Sequence, residues 1–384
     1  MSTIDTLENS IDITPVASNI QTITNNIKKI IVTSDILKID DRNNDKHINP
    51  QRINAEWMKN LVANIIGKTL SIDEKAVIYE HGDIGGYDSI RWKVYSSCGL
   101  PLESQSWAAI YEGNEFFDEL EPILYESYKD SLVICFEASP LMLKVFNKNN
   151  IPYIDFSIHP VRFLPDYMFG IRTNVEEWRK KISAVKIAED VFYDFARVSR
   201  ARTTRIMRGT LPIEDSALFM GQIEIDSSLI CNGTIATEET VENALIELSS
   251  IYPKVYYKRH PHSKSEDALK KIVSKIKNCE WIDVNVYDAF GCGRFDLVAS
   301  LSSGSVTEAK YFDIKTKWIL PKQNYFCLNS QEKSNIYYPI YQDAMKREFW
   351  DYVLGSEIIP TFIPTIPNAF DGAMKFNLNM KWGR

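Results

Sequence analysis

The sequence lacks several features that would each have set its class at once. None of its apolar runs approaches the roughly 20 residues needed to cross a bilayer, and its polar N-terminal stretch shows no signal-peptide pattern. Its six cysteines (Cys98, Cys135, Cys231, Cys279, Cys292, Cys327) have no framework spacing, which argues against a disulfide scaffold. Several lie in apolar, strand-like runs and read as buried reduced thiols. Cys292 has no CxxC partner, so a zinc site is not expected. Cations are not in excess: 44 Lys and Arg stand against 51 Asp and Glu, a net charge of −7. That balance argues against non-specific nucleic-acid binding through the whole surface. No internal repeat, low-complexity tract or Walker lysine motif is present. These absences predict a cytoplasmic protein with no metal or cofactor.

The chain of 384 residues, 45% apolar and 12% aromatic, is long enough for two domains with packed cores. Residues 1–27 read as a loosely ordered lead-in and residues 40–50 as an exposed loop. Lys28–Ser34, Ala76–Tyr79, Ser131–Phe136 and Pro152–Phe156 read as short strands among longer helical segments, an alternation that favours parallel sheets with crossover helices. Ala55–Ile66 and a long amphipathic stretch over 174–205 have helical spacing. After residues 206–212 the pattern restarts, with strands ending at Gly221, Lys258 and Ser300 and helices near 237–251, 265–277 and from Ser305. The expected layout is an α/β chain with an N-terminal domain over 1–208, a second over 209–340, and a tail over 341–384, helical to about Leu354.

Three polar turns, each following an apolar strand-like run, carry the chemistry. The first is Gly221-Gln222-Ile223-Glu224-Ile225-Asp226-Ser227-Ser228, the second Lys258-Arg259-His260-Pro261, and the third Ser302-Ser303-Gly304 with Glu308 beyond. Open α/β sheets place ligand groups at such carboxyl edges. The second turn offers an imidazole and two cations to a phosphate or carboxylate, or is a solvated basic turn. Ser302 and Ser303 offer hydroxyls beside free amides at a helix start, or simply cap that helix. Glu308 suits a capping box or a ribose hydroxyl. Asp226 is either a solvated acidic turn residue or, beside an activated sugar, a carboxylate that can trap an anomeric carbon. For the acceptor's proton the strand ends offer Glu137 or Asp155, with His159 next. His81-Gly82-Asp83-Ile84-Gly85-Gly86 is a Gly-rich loop, either ligand-contacting or plain.

Together the three ordered motifs resemble the donor domain of the bacterial β-Kdo glycosyltransferases, over about residues 215–312. The first half is looser, with Ile151-Pro152-Tyr153-Ile154-Asp155 and Arg162 similar to the family's acceptor-side strand and arginine. The resemblance implies a GT-B fold of two Rossmann-like domains facing a cleft. It also implies retaining transfer from CMP-β-Kdo in capsule or O-antigen synthesis, with no metal in the transfer step. By motif match Asp226 would be the nucleophile, His260 with Ser302 and Ser303 would hold the CMP phosphate, and Glu308 the ribose. Gln222, Lys258, Arg259 and Pro261 would complete the donor side, with His159 and Arg162 on the acceptor side. The partners implied are a CMP-sugar and a lipid-linked or oligosaccharide glycan, at the inner face of the inner membrane, in a peripheral association or as one module of a longer polymerase.

One departure matters. The family's Lys-Pro-His-Pro is Lys258-Arg259-His260-Pro261 here, and the added cation suits a ulosonic carboxylate. It leaves open an inverting CMP-sialic acid transferase, which shares the His-Pro turn and paired serines but needs no nucleophile at Asp226. A non-catalytic glycan-binding module is the other reading left open.

Overall fold

The computed structural model describes residues 23–24, 26–40, 50–206, 212–263, 265–321, 326, 335–356 and 358–369. Most of the lead-in and of the 40–50 loop, and the expected boundary at 207–211, lie outside these. The first sheet contains β1 (Lys29–Ser34), β2 (Val77–Tyr79), β3 (Ser131–Phe136), β4 (Tyr153–Ile158) and β5 (Phe169–Thr173). The second contains β6 (Ser216–Met220), β9 (Val255–Lys258), β10 (Cys279–Trp281), β11 (Phe295–Ser300) and β12 (Lys315–Trp318), and a two-stranded hairpin of β7 (Ile230–Cys231) and β8 (Thr234–Ile235) follows β6. A last strand, β13 (Tyr338–Ile340), returns to the first sheet and pairs antiparallel with β5.

The central strands of both sheets are buried, mostly apolar runs bounded by polar turns, as parallel strands covered on two faces require, while the edge strands β2, β10 and β12 are partly exposed. The second has the order β10-β9-β6-β11-β12 and is parallel throughout. In the first, β2-β1-β3-β4 are parallel while β5 and β13 add an antiparallel edge. Strand order reverses direction beside β1 in one sheet and beside β6 in the other. Such switch points open crevices at the carboxyl ends of the strands. Two Rossmann-like sheets whose carboxyl edges face each other define a GT-B architecture.

Three features depart from the local sequence pattern. The stretch over 174–205 forms two helices, Glu176–Ala184 and Glu189–Ile206, and the Ile187 amide between them donates to the Pro339 carbonyl at 2.9 Å. The chain has returned to the first sheet by Tyr338, before the expected boundary at 340, and Phe349, Trp350 and Val353 of the helix Arg347–Leu354 join that sheet's core. Finally, Ile225 and Ile230, which follow β6, are buried in the core of the first domain beside Trp107 and Ala108. Burying a side chain of this size contributes about 1.5–3 kcal/mol. The hairpin is therefore firmly docked across the two domains.

Candidate functional site

The donor-side turns are wired together. Gly221 directly follows β6, and a Cβ there would lie 2.5 Å from Tyr257 Oη and 3.2 Å from the His260 amide nitrogen, so only glycine lets the first and second turns approach this closely. Gln222 stitches the first turn to the third. Its Oε1 accepts from the Ser302 amide at 2.7 Å and from Ser300 Oγ at 3.0 Å, while its Nε2 donates to Ser302 Oγ at 3.0 Å and Ser228 Oγ at 3.1 Å. Ser302 Oγ donates in turn to the Ser228 carbonyl. Gln222 and Ser302 thus spend these hydrogen bonds on each other, on Ser228 and on Ser300. Ser303 Oγ accepts from the Ser305 amide at 3.3 Å, at the start of the helix Ser305–Tyr311. Glu224 accepts from Ser263 Oγ at 2.6 Å and the Ser265 amide at 2.9 Å, which fixes the His260 turn.

His260 Nδ1 accepts from the His262 amide at 3.1 Å, which leaves the ring proton on Nε2 of the neutral imidazole. Burial lowers its pKa, with His262 and Arg162 acting in the same direction and Asp226 and Glu224 opposing. Burial also lowers Lys258. Arg259 pairs with Glu266 at 3.3 Å, and Pro261 is exposed at the tip of the turn.

Asp226 Oδ1 accepts from the Ser228 amide at 2.8 Å. Its charge reaches both His260 and Glu137. Glu137 stands just past β3 with φ 55°, its Oε1 accepting from Ser157 Oγ at 2.8 Å. Loss of surrounding water raises its pKa, and the charges of Asp226 and Asp155 raise it further against Ser157 and Lys38. Glu137 is nonetheless exposed, so neighbouring protein raises its pKa without enclosing the carboxyl.

The other acceptor-side expectations need correction. Asp155 is fully buried. It pairs with Arg172 Nε at 2.8 Å and accepts from Tyr337 Oη at 2.5 Å and the Ala138 amide at 3.2 Å. That is an enclosed structural ion pair, closed to any acceptor hydroxyl. His159 is 2% exposed between Phe192 and Phe326, and burial depresses its pKa to about 3. An imidazole caged this way does not reach a substrate. Arg162 is exposed on the donor side, where its charge lowers the pKa of both His260 and Glu308. Its own amide donates to Glu308 Oε1 at 2.7 Å. Glu308, 4% exposed, also accepts from Tyr287 Oη at 3.1 Å, and burial raises its pKa to about 7. It joins the domains, as does Gly304, where a Cβ would meet Pro160 at 3.0 Å. In the Gly-rich loop, Arg91 donates to the Ile36 carbonyl (2.6 Å), the His81 carbonyl (2.9 Å) and Asp83, which gives the loop a structural role.

Two residues past β1 escaped the sequence reading. Asp35 is buried and accepts from Trp107 Nε1 at 2.9 Å and the Leu37 amide at 3.1 Å, and burial raises its pKa to about 6. Lys38 lies 5.1 Å from the Trp107 ring centroid, and its charge opposes the pKa rise of both Asp35 and Glu137. Both sit at a strand's carboxyl end, the same address that singled out Glu137. Among the described residues no His, Cys, Asp and Glu side chains gather as a metal-ligand group, and no helix is long and apolar enough to cross a membrane.

No family model matches the chain, and no curated protein matches it by sequence. Among solved structures it is similar to two of KpsC from Thermosulfurimonas dismutans. The beta Kdo 2,7 transferase has 16% identity over 70% of this chain and 90% of that one, at a TM-score of 0.36. The beta Kdo 2,4 transferase has 13% identity over 58% and 87%, at a TM-score of 0.34. It is also similar to a UDP-GlcNAc 2-epimerase from Neisseria meningitidis, with 13% identity over 92% and 100% and a TM-score of 0.31. TM-scores this low carry no argument, and the fold class follows instead from the two sheet topologies.

Proposed function

We propose that this protein is a retaining glycosyltransferase that moves β-Kdo from CMP-β-Kdo to a glycan acceptor by double displacement. The observation that carries the reading is that Ile225, beside Asp226, joins the first-domain core that also holds Ala138, next to Glu137, while the Asp226 charge acts on both Glu137 and His260. The ordered motifs around Asp226, His260 and Ser302-Ser303 support it, because they resemble the β-Kdo transferases as a set.

In the first step a carboxylate oxygen of Asp226 bonds to the anomeric carbon as the bond to the CMP phosphate breaks, the electron pair leaving with the phosphate. His260 Nε2–H donates to that phosphate, and Arg162 and Lys258 reduce its charge. In the second step the acceptor hydroxyl attacks the same carbon. Glu137 takes its proton and Asp226 leaves as a carboxylate. No step requires a metal or cofactor.

The test is to mix intact protein with CMP-Kdo in the absence of acceptor. A mass gain of one Kdo residue on the peptide containing Asp226 is expected, and NMR of the product after acceptor is added should show the β configuration. An inverted product with no adduct would favour the CMP-sialic acid type of transferase, and no turnover of any CMP-sugar would favour a glycan-binding module.

A further inference from the structure

The turn carrying Asp226 is tied to both domains, and only its donor-side tie has a role so far. On that side the Ser228 amide holds Asp226, while Gln222 and Ser302 hold Ser228. On the other side the chain plugs into the first domain. Leu229 and Ile230 are neighbours with opposite allegiances: Leu229 joins the second-domain core with Phe219 and Leu245, while Ile230 joins the first-domain core with Ile225. The split falls where the short helical turn Ser227–Leu229 gives way to the strand that begins at Ile230. The hairpin rests on the helix Ser104–Glu112. Gln105 Nε2 donates to the Gly233 carbonyl at 3.3 Å, and a Cβ on Gly233 would lie 3.6 Å from Ala109 Cα.

We propose that this hairpin is a positioning element through which the first domain, the one that carries Glu137, sets the place of the Asp226 carboxylate. Ile225 and Ile230 flank Asp226 closely in sequence, and both are seated in that domain's core. The chain on both sides of Asp226 is therefore tied to the domain that carries Glu137, as the Ser228 contacts tie it to the donor turns. The inference rests on Asp226 being the nucleophile of the proposed function.

The experiment uses the full chain with Ile230→Ala, Ile230→Val and Gln105→Ala. Three quantities are read: CMP affinity by calorimetry, the rate of covalent capture from CMP-Kdo without acceptor, and hydrogen exchange over residues 222–236. Ile230→Ala should slow capture by about tenfold to hundredfold, the size of effect that a small displacement of a reacting group produces. Its CMP affinity should stay within about twofold of wild type. Exchange should quicken over 222–236 and stay unchanged in β6 and β9. Ile230→Val should restore capture, and Gln105→Ala, which loses one exposed hydrogen bond, should slow it by about two- to threefold. The inference is overturned if Ile230→Ala captures at the wild-type rate, or if its CMP affinity falls in step with capture. Should Ile230→Ala lose its fold, Gln105→Ala decides by the same comparison. If wild-type protein captures no Kdo, the proposed function fails. The exchange pattern then decides alone, and unchanged exchange over 222–236 in Ile230→Ala overturns the anchoring.

Discussion

Glu137 and Asp226 come from different domains, and the negative charge of one raises the proton affinity of the other. Glu137 must be ionised to accept a proton, so transfer should fall on the acid side through a pKa above the ordinary 4.5 of a glutamate. Asp226→Asn removes the like charge and should lower the Glu137 pKa, read by NMR titration of a labelled glutamate carboxyl. The same variant should bind CMP normally and transfer nothing. An unmoved Glu137 titration would mean that the two carboxylates do not share a site.

His260→Ala should weaken CMP binding by about 10- to 150-fold, because a hydrogen bond to a charged phosphate contributes about 1.5–3 kcal/mol. Calorimetry at pH 7.5 or so is suitable, since burial keeps the wild-type imidazole neutral there. Equal affinity in the two proteins would take His260 out of the phosphate site.

Glu308 makes an opposite demand on stability. Its folded pKa is raised to about 7 from an ordinary 4.5, so the folded state holds the proton more tightly than the unfolded chain does. The stabilising contribution is fully present below pH 4.5 and disappears as pH rises through 7. Glu308→Gln keeps an acceptor oxygen for the Arg162 amide and Tyr287 and removes the charge. It should raise unfolding free energy at pH 8 by up to about 3 kcal/mol and change it little at pH 4. Urea titrations at the two pH values measure this, and a gain of equal size at both would refute it. CMP binding should weaken if the ribose is a second partner.

His159 predicts the acid limit of the fold. Its folded pKa is depressed to about 3 from 6.5, so its contribution is complete above pH 6.5 and is lost as pH falls towards 3. Between neutrality and pH 4 this one residue should account for about 3 kcal/mol of lost stability. His159→Phe should flatten that decline, at the cost of leaving the Val161 amide without its Nδ1 partner. A decline as steep as wild type's would place the acid sensitivity elsewhere.

The strand ends of β3, β6, β9 and β11 were legible because each couples an apolar run to a turn of polar residues, a signal contained in a few consecutive positions. The roles of Asp155 and Glu137 were not separable that way, since both sit beside strand ends. Only the register that sets Asp155 opposite Arg172 on β5 shows which carboxylate is enclosed. The break between the helices Glu176–Ala184 and Glu189–Ile206 was invisible for a related reason. Apolar residues continue at helical spacing through it, and the amide of Ile187 bonds a carbonyl far along the chain, at Pro339. Gln222 looked like a ligand contact because a polar residue in a glycine-led turn has no local mark that its partners are Ser228, Ser300 and Ser302.

The return strand β13 also has a bearing on synthesis. Its partner β5 leaves the ribosome early, but Tyr338–Ile340 arrive only after the whole second sheet. Until then β5 presents an unpaired edge, the kind of surface that invites pairing with another chain. A nascent or truncated protein ending before Tyr338 should therefore aggregate even though its first four strands are parallel and complete. The helix Arg347–Leu354 is then as necessary to the first domain as β1, since Phe349 and Trp350 belong to the same core as Ile30 and Val32.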